Sequence, residues 1–148
     1  MRRANINELD TLNHIAYESE GIWGEDDSYM ELFSQHYKVT QEMIENDLVY
    51  IMEKKSSIVG FFAILNKQNT AELELFYISK SYIGMGYGRR LWENMIDICK
   101  GNGIDKIKLV GSKDVGNFYI KLGAREIEKI ESSLKVGRIV SRYQYDIE

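Results

Sequence analysis

Apolar positions along the chain switch between helical and alternating spacing, and the switches predict its elements. Arg2 to Asn5 reads as a short opening strand. Asn7, with Asp10 three residues on, resembles a helix cap. Leu9, Leu12, Ile15 and Ala16 give the helix that follows one apolar face, which runs out near Gly21. Ile22 to Asp27 is an acidic loop around one large aromatic, Trp23, which either plugs the core or packs on a substrate; its acids Glu25, Asp26 and Asp27, with Glu18 and Glu20 before it, form either a solvated surface or an attraction for a cationic amine. Ser28 with Glu31 matches a capping box; Met30, Phe33 and Tyr37 continue a second helix. Thr40 caps a further helical turn through Met43 and Ile44.

Strand spacing then takes over. Leu48 to Met52 and Ile58 to Leu65 are apolar, rich in strand formers and separated by Glu53 to Ser57, which predicts a hairpin. Phe61, Phe62, Ala63 and Ile64 show no polar alternation, so the second of these strands is covered on both faces. Asn66 to Thr70 turns the chain into a third strand, where Leu73, Leu75 and Tyr77 alternate with Glu72, Glu74, Phe76 and Ile78. From Gly88 onward Leu91, Trp92, Met95, Ile96, Ile98 and Cys99 return to helical spacing, and Gly101 to Gly103 ends that helix. Ile107 and Leu109 mark a fifth strand; Asp114 to Leu122 is a short helix ended by Gly123. A weakly patterned strand around Ile127 precedes a last one in which Ile139, Tyr143, Tyr145 and Ile147 share a face. This order predicts an α+β fold over a single domain, residues 1–148: an α/β mixed sheet with helices on both faces.

Composition narrows the function classes. A length of 148 residues can bury a core without staples. The net charge of -4 argues against a nucleic-acid surface. The N-terminus lacks the apolar core of a signal peptide, and no apolar run approaches the roughly 18 residues of a membrane span. A soluble cytoplasmic protein is the expectation. Cys99, the sole cysteine, excludes an intramolecular disulfide and a cysteine-based metal cluster, and His14 and His36 stand too far from other ligands to suggest a metal.

The chemistry concentrates between the third strand and the helix after it. Gly84, Gly86 and Gly88 remove three side chains where the backbone turns into a helix N-terminus, a place that offers N–H groups and a favourable dipole to an anion. Arg89 and Arg90 sit in the first helical turn, where a positive charge opposes that dipole. Basic residues there imply a multiply charged anion outside the helix. A dinucleotide fingerprint would want its glycines after the first strand of a strand-helix-strand unit, with an acid about 20 residues on. A P-loop would end in Gly-Lys-Ser/Thr, whereas Gly88 precedes Arg89.

These residues resemble the GNAT superfamily of acetyl-CoA-dependent N-acetyltransferases. Its Gln/Arg-x-x-Gly-x-Gly/Ala signature is matched by Ile83-Gly84-Met85-Gly86-Tyr87-Gly88, and its Phe-Tyr-x-x-x-Gly-Phe signature by Phe118-Tyr119-Ile120-Lys121-Leu122-Gly123-Ala124. Trp23-Gly24 and Gly137-Arg138 look like a bacterial branch. Ile83 departs from the usual Gln or Arg, and Ala124 from an aromatic. The resemblance implies a mostly antiparallel sheet of about seven strands flanked by about four helices. It also implies transfer from acetyl-CoA to an amine of a small molecule or peptide by direct attack, without a metal. Tyr119 is then the acid for the departing thiolate, and Glu72 or Glu74, acting directly or through water, the base. Backbone edges of Phe76, Tyr77 and Ile78 would hold the pantetheine arm, and the run Ile83, Gly84, Met85, Gly86, Tyr87, Gly88 and Arg89 the pyrophosphate, with Asn117 adding a side-chain contact. Late strands in the superfamily are common pairing edges, so a homodimer is a further expectation. A non-catalytic acyl-CoA sensor of the same fold and a nucleotide-binding module remain open beside the enzyme.

Overall fold

The structure is a computed structural model that describes residues 1–67 and 70–148. Strands β1 (Arg2–Arg3), β2 (Leu48–Lys54), β3 (Ser57–Lys67), β4 (Thr70–Ile78), β5 (Lys106–Gly111), β6 (Arg125–Glu131) and β7 (Ile139–Asp146) form one sheet. Their order is β1-β2-β3-β4-β5-β7-β6, and β4 with β5 is the parallel pair in an otherwise antiparallel sheet. Helices α1 (Leu9–Gly21), α2 (Asp27–His36) and α3 (Gln41–Asn46) pack on one face, α4 (Tyr87–Gly101) and α5 (Lys113–Lys121) on the other. This is the α+β architecture expected, with α3 as a fifth, six-residue helix. No described helix is long and apolar enough to cross a membrane.

Strand β3 lies at the centre of this two-sided core. Phe62 and Ile64 face α4 while Phe61 and Ala63 face α1, and all four are fully buried. Burying each of the larger side chains is worth about 1.5–3 kcal/mol. That accounts for the missing polar alternation in this strand. Its hairpin with β2 closes through Lys55 and Ser56, both at positive φ (50° and 66°), the two-residue geometry that matches strand twist. The turn expected over 66–70 falls partly on residues 68 and 69, outside the described ones.

Local caps differ in detail from the sequence reading. The cap of helix α2 lies two residues before Ser28, because Asp26, in extended backbone, accepts the Tyr29 N–H at 2.8 Å. At the N-terminus Asn5, rather than Asn7, opens a 3-10 turn over Ile6–Glu8. Its N–H donates to Glu8 Oε1 at 2.8 Å, and Arg2 grips both Glu8 oxygens. Thr40 does cap α3, accepting the Met43 N–H at 3.2 Å. Ile139 shares the parity of Tyr143 yet is exposed, because β5 pairs with β7 only from Ser141 onward.

One irregularity matters most. On β3 Ala63 faces Leu75 and the next residue, Ile64, faces Leu73, so Glu74 is an extra residue, a β-bulge. The bulge reverses which face each later side chain takes. Ala71, Leu73, Phe76 and Ile78 pack toward α4, whereas Leu75 and Tyr77 pack toward α1 and α2. The unbroken alternation from Glu72 to Ile78 is corrected accordingly: Leu73 and Leu75 lie on opposite faces. Beyond the pairs Ala71–Ile107 and Glu72–Lys108, β4 and β5 no longer pair.

Helix α5 is held against β7 by a close approach. A Cβ on Gly116 would overlap the hydroxyl of Tyr143, itself buried in the core. In an unencumbered helix Gly→Ala stabilises by about 1 kcal/mol. Here Gly116→Ala is expected to lower the urea midpoint, by an overpacking cost of about 1–3 kcal/mol; an unchanged or raised midpoint would contradict this packing.

Candidate active site

The parting of β4 from β5 leaves an open backbone edge. Ser79 N–H donates to Val59 C=O at 2.7 Å, so by antiparallel alternation Tyr77 and Leu75 turn their peptide groups to β3. Phe76 and Ile78 turn theirs to the open edge. One of those groups is taken: Ser19 Oγ of α1 donates to Ile78 C=O at 2.7 Å. Tyr77, expected at this edge, therefore turns its backbone to β3, while its side chain packs toward α1 and α2.

The glycine turn lies at the end of the same strand. Gly84 and Gly86 hold φ of 84° and 85°, a region closed to most side chains. Gly88 sits where a Cβ would press on the Phe118 ring at 3.1 Å, so α4 and α5 meet closely there. No side chain caps α4, and the first-turn N–H groups, with no intrahelical acceptor, are left for a ligand or water. Ile83 and Met85 are exposed on this loop. Arg89 and Arg90 are exposed at the helix start, and Lys54 Nζ, at the tip of the hairpin, donates to the Tyr87 hydroxyl at 2.9 Å. Lys54 thus adds a cation to the pair that the sequence suggested.

Tyr119 is buried at 6 % exposure among Phe76, Trp92 and Phe118, with ring centroids between 5.2 and 6.0 Å away. Its hydroxyl has no hydrogen-bond partner among the described residues. No fully buried side-chain oxygen or nitrogen among them lacks a partner, so this oxygen is not wholly sealed from solvent. Burial, then the charge of Glu20, pushes its titration well above the ordinary tyrosine value, so it stays a proton donor across the neutral range. Asn117 is exposed on α5. Glu72 forms an ion pair with Arg142 at 3.6 Å, and Arg142 also donates to Glu128 at 2.8 Å. Glu74 occupies the bulge, so the even spacing of the two carboxylates along a regular strand does not hold.

A cluster that local sequence pattern does not reveal lies on the α1 side. Glu20 accepts from Tyr29 at 2.7 Å and from Tyr77 at 2.9 Å, residues 9 and 57 positions away. Arg138, from the β6–β7 loop, pairs with Glu25 at 2.8 Å and lies over the Tyr29 ring. Trp23 is 56 % exposed and does not plug the core. Cys99 is buried on α4, and burial pushes its thiol up to about 12. Two surface hollows, of about 350 and 290 Å³, lie elsewhere: at the β4–β5 base by Asn102, and on the outer side of α4 by Glu93.

The sequence pattern of the Acetyltransferase (GNAT) family matches residues 10–124. The chain belongs to this family of acetyltransferases. Among solved structures it resembles PaiA N-acetyltransferase from Thermoplasma acidophilum in complex with coenzyme A, with a TM-score of 0.80 and 22% identity over 98% of this chain and 96% of that one. The ribosomal-protein-S18-alanine N-acetyltransferase from Escherichia coli gives 0.75 and 16%, over 98% and 91%. An aminoglycoside 6'-N-acetyltransferase complexed with coenzyme A gives 0.74 and 15%, over 100% and 95%. No curated protein is similar to the chain in sequence. At these identities the structural likeness concerns the fold.

The buried phenols give a testable pH dependence. Tyr77 and Tyr29 are raised above the ordinary tyrosine value, first by burial and then by the charge of Glu20 and the hydrogen bond to it. A group raised by folding contributes stability that is complete below its unfolded value and lost as pH climbs toward the folded one. Unfolding free energy is therefore expected to fall between about pH 9.5 and 11.5, and to fall less in Tyr77→Phe. Equal slopes for the two proteins in urea titrations would contradict it.

Proposed function

We propose that the chain transfers an acetyl group from acetyl-CoA to a primary amine of a small molecule or peptide by direct attack. The observation that carries this reading is the open β4 edge running into an uncapped, glycine-lined helix start, with Tyr119, its hydroxyl unpartnered among the described residues, packed on Phe76 of that edge. The residues fit the donor. Phe76 and Ile78 N–H groups suit an amide-bearing pantetheine chain. The turn from Ile83 through Gly84, Met85, Gly86 and Tyr87 to Gly88, with Arg89, suits a pyrophosphate, and Lys54 and Arg90 add charge of the right sign. Gly84 and Gly86 let the backbone itself make that approach. Asn117 is exposed on α5, two residues before Tyr119.

When bound, acetyl-CoA supplies an activated thioester, and the rest falls to the chain. Tyr119 keeps its proton at neutral pH and yields it to the departing sulfur. The amine must lose protons, and Glu72 and Glu74 are the acceptors that the family resemblance offers, directly or through water. Arg142 already pairs with Glu72 at 3.6 Å. Trp92 and Phe76 wall the Tyr119 side with apolar surface, which strengthens polar interactions at the opening.

Acetyl-CoA is expected to raise the melting temperature in a thermal-shift screen while ATP and NAD leave it unchanged; no response to acetyl-CoA would sink the reading. With an acceptor in hand, Tyr119→Phe is expected to lower the rate of free-thiol release by roughly 10²-fold or more at saturating acetyl-CoA, since a positioned acid contributes on that scale. An unchanged rate removes Tyr119 from the acid role.

A further inference from the structure

Glu20 stands near the end of α1 in a setting that neither its neighbours nor the core explains. Tyr29 of α2 donates to its Oε2 at 2.7 Å, and Tyr77 of β4 donates to its Oε1 at 2.9 Å. Each carboxylate oxygen has a second acceptor position. The two phenols therefore fix the carboxylate in place while leaving one position on each oxygen. No lysine, arginine or histidine forms an ion pair with Glu20 among the described residues. Arg138, which feels its charge, is committed to Glu25 at 2.8 Å. Glu72, by contrast, has Arg142.

Two observations bring this carboxylate toward the open edge of β4 and Tyr119. The residue before it, Ser19, hydrogen-bonds Ile78 C=O on the open edge of β4, which ties the end of α1 to the opening. Tyr119, 6 % exposed and without a hydrogen-bond partner in the described protein, lies close enough for the charge of Glu20 to act on its hydroxyl. A half-buried carboxylate lacking a counter-ion beside an unpartnered phenol is a natural receptor for a cation that can donate protons.

We propose that Glu20 receives the ammonium group of the acceptor and takes its proton, so that the acceptor is a primary alkylamine presented as an ammonium ion. This rests on the acetyl-transfer reading above and assigns Glu20 the role that the resemblance gave to Glu72 or Glu74. In the step, the ammonium gives one proton to the Glu20 carboxylate and becomes a neutral amine. Its nitrogen forms the N–C bond to the acetyl carbonyl carbon. The C–S bond breaks, the sulfur takes the proton of Tyr119, and a second proton from nitrogen restores that hydroxyl. Glu20 passes its proton to water, leaving an amide, a free thiol and one proton in solution. The groups facing Glu20 are Tyr29 from α2, Tyr77 from β4, Tyr119 from α5, Glu25 from the α1–α2 loop and Arg138 from the β6–β7 loop. The three phenols hold their protons through neutral pH, so they remain donors while Glu20 cycles.

The test measures thiol release from acetyl-CoA with butylamine, ethanolamine, spermidine and lysine amide across pH, for the wild-type chain, Glu20→Gln and Glu20→Asp. Acetyl-CoA thermal shift serves as an independent readout of folding and donor binding. The wild type is expected to use at least one of these amines. For that amine Glu20→Gln is expected to lose roughly 10²-fold or more in kcat/KM at neutral pH, and to recover as pH nears the amine's own pKa of about 10. Its acetyl-CoA shift is expected to match the wild type. Glu20→Asp keeps the charge but withdraws it by one methylene; it is expected to retain the shift with a smaller loss of rate, and it decides the matter if Glu20→Gln does not fold. A wild-type rate and pH profile in the variants overturns the assignment, as does a raised amine KM with kcat intact, which would make Glu20 a binding group only. A wild-type chain that neither responds to acetyl-CoA nor acetylates any amine overturns the function itself, a different and recognisable failure.

Discussion

The structure depends on one constraint: β4 cannot pair with both of its neighbours along its whole length. The extra residue at Glu74 shifts its register against β3, and pairing with β5 stops after Glu72. An unpaired strand edge inside a sheet is costly unless something satisfies its peptide groups. Here α1 supplies one partner through Ser19, the glycine turn follows at the end of the same strand, and Tyr119 packs on Phe76. The same bulge sends Tyr77 to α1 and Phe76 to the Tyr119 side, so one irregularity serves both sides of the opening.

The two sides carry opposite charge. Lys54, Arg89 and Arg90 gather where α4 begins, whereas Glu20 and Glu25 stand where α1 ends. A net charge of -4 hides this separation. Tyrosines mediate on both sides: Tyr87 accepts from Lys54, while Tyr29 and Tyr77 donate to Glu20. A phenol suits both tasks because it packs an apolar ring and still donates or accepts at its tip. Under the proposed function, such an arrangement would favour an anionic donor on one side and a cationic acceptor on the other.

Much of this could be read from sequence where a local rule applies. The β2–β3 hairpin, the glycine turn and the buried β3 strand follow from spacing alone, and the paired signatures around Gly86 and Tyr119 are short, contiguous runs. The bulge could not be read, because Leu73 and Leu75 are apolar and each finds a core on its own face, so the alternation looks unbroken. Ser28 looked like a cap because Asp26 sits in a run of acids that hides the one with extended backbone. Glu20 was one acid among several near a loop. Its two hydroxyl partners come from α2 and β4, and nothing in their spacing announces the contact.

The open edge of β4 is where acetyl-CoA binding would leave its mark. Amide hydrogen exchange at single-residue resolution, with and without acetyl-CoA, measures it directly. Phe76 and Ile78 amides are predicted to exchange quickly in the free protein and to slow on addition of acetyl-CoA, while Leu75 and Tyr77, paired to β3, stay protected throughout. Phe76 and Ile78 amides that are already protected in the free protein, or that do not respond to acetyl-CoA, would contradict it.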